Sequence, residues 1–169
     1  VMGNVFARQF WGIERPRVGL LSVGSESSKG NRQVKEAANL IAKSGLNFIG
    51  NVEANQLPNN VAEVVVCDGF VGNIVMKLTE GLGSAMSNYL RDHLKGRLPD
   101  TELNKLAQEI YEVNNVAETF GGGPLLGVNG VSIIGHGRGR TASVRRAITT
   151  AKRMVEVGFV SKVNEELVR

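Results

Sequence analysis

The residues best suited to chemistry are few, and they fall where apolar runs stop. Lys29 supplies a positive charge within the small, polar stretch Gly24-Ser25-Glu26-Ser27-Ser28-Lys29-Gly30-Asn31. Asn31, Asn51 and Asn73 supply neutral amide donors, with Glu53 close to the second of them. Asp68, Gly69, Gly72 and Asn73 stand between a valine run and a long amphipathic stretch. A glycine-rich turn leading from a strand into a helix N-terminus presents backbone N–H groups to an anion. The alternative is local: Gly69 and Gly72 make the turn and Asp68 caps the helix. His136, inside Gly135-His136-Gly137-Arg138, completes the polar set. Such an inventory suits the holding of negative charge.

Other chemistries lack their residues. There is no G-x-G-x-x-G fingerprint for a dinucleotide, no GKS or GKT phosphate loop and no nucleophile elbow. The single cysteine, Cys67, ends the run Val64-Val65-Val66 beside a helix start. It reads as a nucleophile or, by the more common pattern, as inert core. With no partner cysteine it forms no internal disulfide, which fits a reducing compartment. His93 and His136 are far apart and lack the spacing of metal ligands, so no metal site is expected.

Four strands position these residues. Arg17–Val23 leads into the Lys29 loop, Leu46–Ile49 into Asn51 and Glu53, Val64–Cys67 into Asp68 to Asn73, and Val131–Ile134 into His136. Val64–Cys67, apolar and β-branched, reads as a central strand buried on both faces. Helices alternate with the strands. The first runs toward Trp11 and lacks an N-cap, as if the chain opened inside a larger protein. The second covers about Arg32 to Lys43, with Val34, Ala37, Ala38 and Ile41 inward. A long helix follows from Val71, its inward stripe formed by Val71, Ile74, Val75, Leu78, Leu82, Ala85, Met86 and Tyr89. Lys95–Asp100 breaks it, and Leu103, Leu106, Ala107, Ile110 and Tyr111 line a further helix, making a helical hairpin at about 72–113. The last helix, about Ala142 to Val157, turns Val144, Ile148, Ala151 and Val155 inward.

Strands alternating with helices give an α/β fold with a mostly parallel sheet flanked by helices, in a single domain spanning 1–169. Ligands of such sheets bind at the carboxyl ends of the strands, so the four loops are expected to meet in one crevice.

The composition, 42% hydrophobic and 21% charged, is that of an ordinary globular chain, and no run is long enough to cross a membrane. The net charge of +4 is uneven: Arg138–Arg153 holds six basic residues and no acidic one. That patch suits an acidic protein, a phosphate-bearing ligand or an anionic membrane. Nucleic acid fits least, because aromatics are only 5% and none interleave with the arginines.

Four stretches in order, PRVGLLSVGSESSKGN, NFIGNVEA, VVVCDGFVGNIVMKLTEG and GGGPLLGVNGVSIIGHG, resemble the bacterial phosphate acyltransferases of phospholipid synthesis. The resemblance covers nearly the whole chain but only the C-terminal half of that family's proteins. It implies a Rossmann-like, isocitrate dehydrogenase-like fold with a protruding helical hairpin. It further implies transfer of a fatty acyl group from acyl carrier protein to inorganic phosphate, with no metal or organic cofactor. Lys29 and Asn73 are then the important pair: Lys29 holds phosphate, aided by the backbone around Gly69 and Gly72, and Asn73 donates to the oxyanion. His136 orients the substrate or protonates the leaving thiolate. Gly30, Asn31, Asn51, Glu53 and Asp68 shape the site. The chain departs from the family's pattern at Arg138, where small residues are more usual.

The resemblance implies a homodimer built from the hairpin helices and loose attachment to the cytoplasmic face of the membrane. Met86, Leu90, Leu94 and Leu98 run toward the hairpin tip beside Arg91, Lys95 and Arg97. Two rival readings are a NAD(P)-dependent dehydrogenase of related fold and a non-catalytic docking module for an acidic carrier protein.

Overall fold

The computed structural model describes residues 1–115, 121–135 and 141–168, and the chain divides into two compact units. The first comprises Val1–Gly69 with Met154–Arg169, and the second comprises Phe70–Arg153.

The first unit is built on a parallel sheet of β1 (Arg17–Leu21), β2 (Asn47–Val52) and β3 (Val64–Val66), in the order β2-β1-β3. The central strand is therefore β1, with Val18, Leu20 and Leu21 buried, and not β3 as its valine run implied. Among the described residues β3 pairs only with β1, and it is half-buried, with Val66 exposed. Three valines make a good strand but do not say how many neighbours it has. Helix α1 (Met2–Trp11) packs on β3, and α2 (Arg32–Ala42) packs on β1 and β2. The half-buried positions of α2 include the expected Val34, Ala37, Ala38 and Ile41. Burying each of Val18, Leu20, Val52 and Phe159 contributes on the order of 1.5–3 kcal/mol.

A nine-residue helix unforeseen in the sequence closes this unit. Labelled α6 (Phe159–Leu167), it follows α5 (Thr141–Glu156) after the left-handed Gly158. Phe159 and Val163, one turn apart, are buried. Phe159 meets Phe6 and Phe10 of α1 edge-on, with ring centroids 6.1 and 6.5 Å apart. Lys162 Nζ donates to Gln9 Oε1 at 2.6 Å, and Arg8 pairs with Glu166. At the amino end of the sheet, Glu63 accepts from the Arg17 guanidinium and from the Arg17 backbone N–H at 2.7 Å. These bonds hold the Glu63 carboxyl down at about 2.

In the second unit α3 (Gly69–Leu94) touches α4 (Asp100–Asn114) through small groups. The buried positions of α3 are Gly83 and Ser87, and Ser87 Oγ donates to the Ala107 carbonyl at 2.7 Å. A Cβ at Gly83 would lie 2.3 Å from Asn114 Cβ, so only glycine permits this approach. The expected inward stripe is consequently turned outward: Val71, Ile74, Leu78, Leu82, Met86 and Tyr89 are 43–61% exposed. On α4 Leu103 and Ala107 are buried, as the period implied.

On α5 Ser143 and Met154 are buried and Ala151 is half-buried, while Val144, Ile148 and Val155, expected inward, are 55–67% exposed. Gly121 lies against the turn containing Ser143, where a Cβ would come within 2.3 Å of the Ser143 carbonyl. The fourth expected strand is also placed differently. Its two residues β5 (Ile133–Ile134) pair antiparallel with β4 (Gly123–Pro124), with Leu125 N–H donating to the Ser132 carbonyl at 2.9 Å. The glycine-rich segment folds the chain back on itself and supplies a local partner. Among the described residues the parallel sheet therefore has three strands, not four. No helix among the described residues is long and apolar enough to cross a membrane.

Candidate active site

The segment after β1 is tied down at one carbonyl. Ser22 N–H donates to the Val52 carbonyl at 2.9 Å, continuing the β1–β2 pairing past the last strand residue. The chain then turns so that Lys29 N–H donates to the Glu26 carbonyl at 3.0 Å. Asn51 Nδ2 donates to the same carbonyl at 2.8 Å. The turn that presents Lys29 is thus braced by β2. The Lys29 stem crosses Gly24, where a Cβ would lie 2.9 Å from Lys29 Cγ and 2.8 Å from Glu26 Oε2. Lys29 itself is exposed.

Asn51 reaches Glu26 because β2 carries a bulge. Val18 pairs with Phe48 but Gly19 pairs with Gly50, which leaves Ile49 as an extra residue. Such an insertion re-aims the side chains that follow. After the loop, Asn31 caps α2, its side-chain oxygen accepting from Val34 N–H at 2.9 Å. No acidic side chain lies in the first turn of α2, so the positive end of the helix dipole is not offset there. Gly30, between Lys29 and the cap, has φ +97°.

Glu53 has a structural task. Its backbone N–H donates to Gln56 Oε1 at 2.9 Å in a capping box that starts the short 3₁₀ helix Ala54–Asn59. Asp68 immediately precedes α3, which begins at Gly69, two residues earlier than its apolar period implied. Gly69, Gly72 and Asn73 therefore belong to the helix start itself, and Asn73 is exposed. Cys67 is exposed and not part of the core. Partial burial of its thiol, and then the charge of Asp68, push its ionisation upward. A thiol so placed is a poor thiolate and a poor nucleophile.

In the first unit, then, Lys29, Gly30, Asn31 and Asn51 come together at the carboxyl end of the sheet, while Asp68 and Gly69 follow the neighbouring strand β3. Gly72 and Asn73 belong to the second unit. His136 and Arg138 lie outside the described residues. Sequence reasoning missed the Glu26 carbonyl, the acceptor on which the turn depends. A backbone group carries no residue-type signal, and only the short spacing from Glu26 to Lys29 hints at it.

A profile of the "Fatty acid synthesis protein" family matches residues 1–162. The chain belongs to this family. Among its relatives, a protein named phosphate acyltransferase from Desulfitobacterium hafniense is 43% identical over 175 residues, covering 100% of this chain and 52% of its own length. Proteins of the same name from Elusimicrobium minutum and Nitratidesulfovibrio vulgaris are 42% and 44% identical, with 50% and 49% of their lengths covered. The chain spans about half the length of the curated relatives it matches.

Proposed function

We propose that this chain carries the phosphate-handling part of an acyltransferase that moves a fatty acyl group from acyl carrier protein to inorganic phosphate. The observation that carries the reading is the braced turn at Lys29: two donors on one carbonyl fix a lysine at the carboxyl end of a central parallel strand. The relatives named phosphate acyltransferase support it. So does the adjacency of β1 and β3, whose following segments hold Lys29 and the glycine-rich start of α3.

Phosphate is an anion at neutral pH, so it needs placing and partial charge compensation more than a base. Lys29 holds it, with the positive ends of α2 and α3 lowering the cost of its charge. A phosphate oxygen attacks the thioester carbonyl, and Asn73 donates to the oxyanion that develops. Collapse forms the acyl phosphate, breaks the C–S bond and releases the carrier thiolate. A thiol of pKa about 8.5 leaves with little assistance. His136 orients the substrate or protonates that thiolate, and no cofactor takes part.

The same reading includes the isocitrate dehydrogenase-like fold, the protruding α3–α4 hairpin and a peripheral cytoplasmic location. The exposed stripe of α3 supports a homodimer, and the basic residues Lys95 and Arg97 between Leu94 and Leu98 support a weak contact with anionic lipid. The test is Lys29→Ala and Asn73→Ala in the full-length protein, assayed for acyl-phosphate formation. Each is expected to keep the fold and lose about a hundredfold to a thousandfold in turnover. Variants within threefold of wild type would overturn the assignment.

A further inference from the structure

Ser22 sits one residue beyond β1, and the site described above leaves it unused. Its backbone is fixed by the bond to Val52, yet its hydroxyl oxygen is shut off from water and has no hydrogen-bond partner. Among the described residues it is the one buried side-chain polar atom in that condition. An unmet buried hydroxyl is destabilising, and in native proteins such groups are few and call for a reason.

Its surroundings supply the reason. The hydroxyl lies beneath Gly30: a Cβ at that position would fall 3.1 Å from Ser22 Oγ and 2.6 Å from Val34 Cγ1. Gly30 adopts φ +97°, and as a glycine it leaves only a bare Cα as cover. It is also the residue directly after Lys29, so the peptide beside the proposed phosphate lysine lies next to the idle hydroxyl. Around this point Asn31 starts α2 and Asn51 braces the turn, while Ser22 makes no side-chain bond.

We propose that Ser22 is a further phosphate-binding residue, its hydroxyl donating to an oxygen of the phosphate held by Lys29 once the Gly30 peptide rotates aside. The inference rests on the reading of Lys29 given above. Glycine is the residue whose backbone makes that rotation without a side-chain clash, and binding supplies the bond that the free protein lacks.

The test uses the full-length protein and inorganic phosphate as the probe, with binding read by calorimetry and turnover by steady-state kinetics. Losing a hydrogen bond to a charged group weakens binding about tenfold to a hundredfold. Ser22→Ala is therefore expected to raise the phosphate Kd and KM by that factor, with kcat within about threefold and the KM for the acyl donor unchanged. Without phosphate its melting temperature should equal or exceed that of wild type, because the hydroxyl makes no bond there. Ser22→Cys, similar in shape but a weak donor, should bind phosphate as Ser22→Ala does. An unchanged phosphate Kd, or a loss of several degrees in the phosphate-free melt, overturns the inference. Lys29→Ala is measured alongside. If it binds phosphate as wild type does, the reading of the site falls; if it alone loses phosphate, only the role of Ser22 falls.

Discussion

Two glycines in α3, two residues apart, should respond to alanine with different signs. At Gly81 a Cβ would meet nothing within 4 Å, so Gly81→Ala gains the helix preference of alanine without a clash. That gain is about 1 kcal/mol. At Gly83 the added Cβ would lie 2.3 Å from Asn114 Cβ, and Asn114 cannot swing away freely because its Nδ2 donates to the Ile110 carbonyl at 2.8 Å. Helices α3 and α4 must separate there, and overpacking of this kind costs about 1–3 kcal/mol. The helix preference offsets part of it, leaving Gly83→Ala about 0–2 kcal/mol less stable than wild type. In a domain of this size each kcal/mol shifts the melting temperature by about 2–4 °C. Gly81→Ala should therefore melt about 2–4 °C above wild type, and Gly83→Ala at or below it, by differential scanning calorimetry. If the two variants melt together, the close contact between α3 and α4 is wrong.

Three further outcomes follow from other parts of the molecule. In the full-length protein, Cys67→Ala should retain the proposed acyl-phosphate formation, since the thiol is pushed toward its neutral form; complete loss with an intact fold would revive a covalent mechanism. The Glu63 carboxyl, depressed from 4.5 to about 2 by Arg17, adds stability that is present above its unfolded value and lost as pH falls through that range. Arg17→Gln should accordingly flatten the fall in melting temperature between pH 4.5 and 2, and an unchanged slope would refute the clamp. Leu78→Glu with Leu82→Glu, on the exposed stripe of α3, should convert the proposed homodimer to monomers by light scattering without loss of helicity. A double variant that stays dimeric removes the stripe from the interface.

The sequence made β1, α2 and the start of β2 legible because their patterns are local, an apolar run or a 3.6-residue period. But β2 runs through Gly50, read as its stop, to Val52, so Asn51 lies in the strand and not in the loop after it. The inward face of α2 was read correctly, since Val34, Ala37, Ala38 and Ile41 are also its half-buried residues. The same logic failed on α3, whose close contacts are made through small groups, Gly83 and Ser87. Hydropathy weighs large side chains, so it pointed to the opposite face. On α5 the buried residues are Ser143 and Met154, and neither was among those expected inward. The placement of Ile133–Ile134 depended on a partner chosen by chain reversal at the glycines, which no local period encodes. At the site, Lys29, Asn31 and Asn51 were visible as residue types. Their bracing through the Glu26 carbonyl, the bulge at Ile49 and the idle hydroxyl of Ser22 arise only from folded geometry.

The clasp between α1 and α6 has a consequence for how the molecule is made. The first unit draws on both ends of the sequence, and everything from Phe70 to Arg153 is an excursion from it. A ribosome delivers that excursion before it delivers Phe159 and Val163, the residues that pack behind Phe6 and Phe10. The second unit can condense before α6 is made, but the sheet carrying Lys29 must wait, its aromatic back wall incomplete, until α6 emerges. Late assembly thus falls on the unit that holds Lys29.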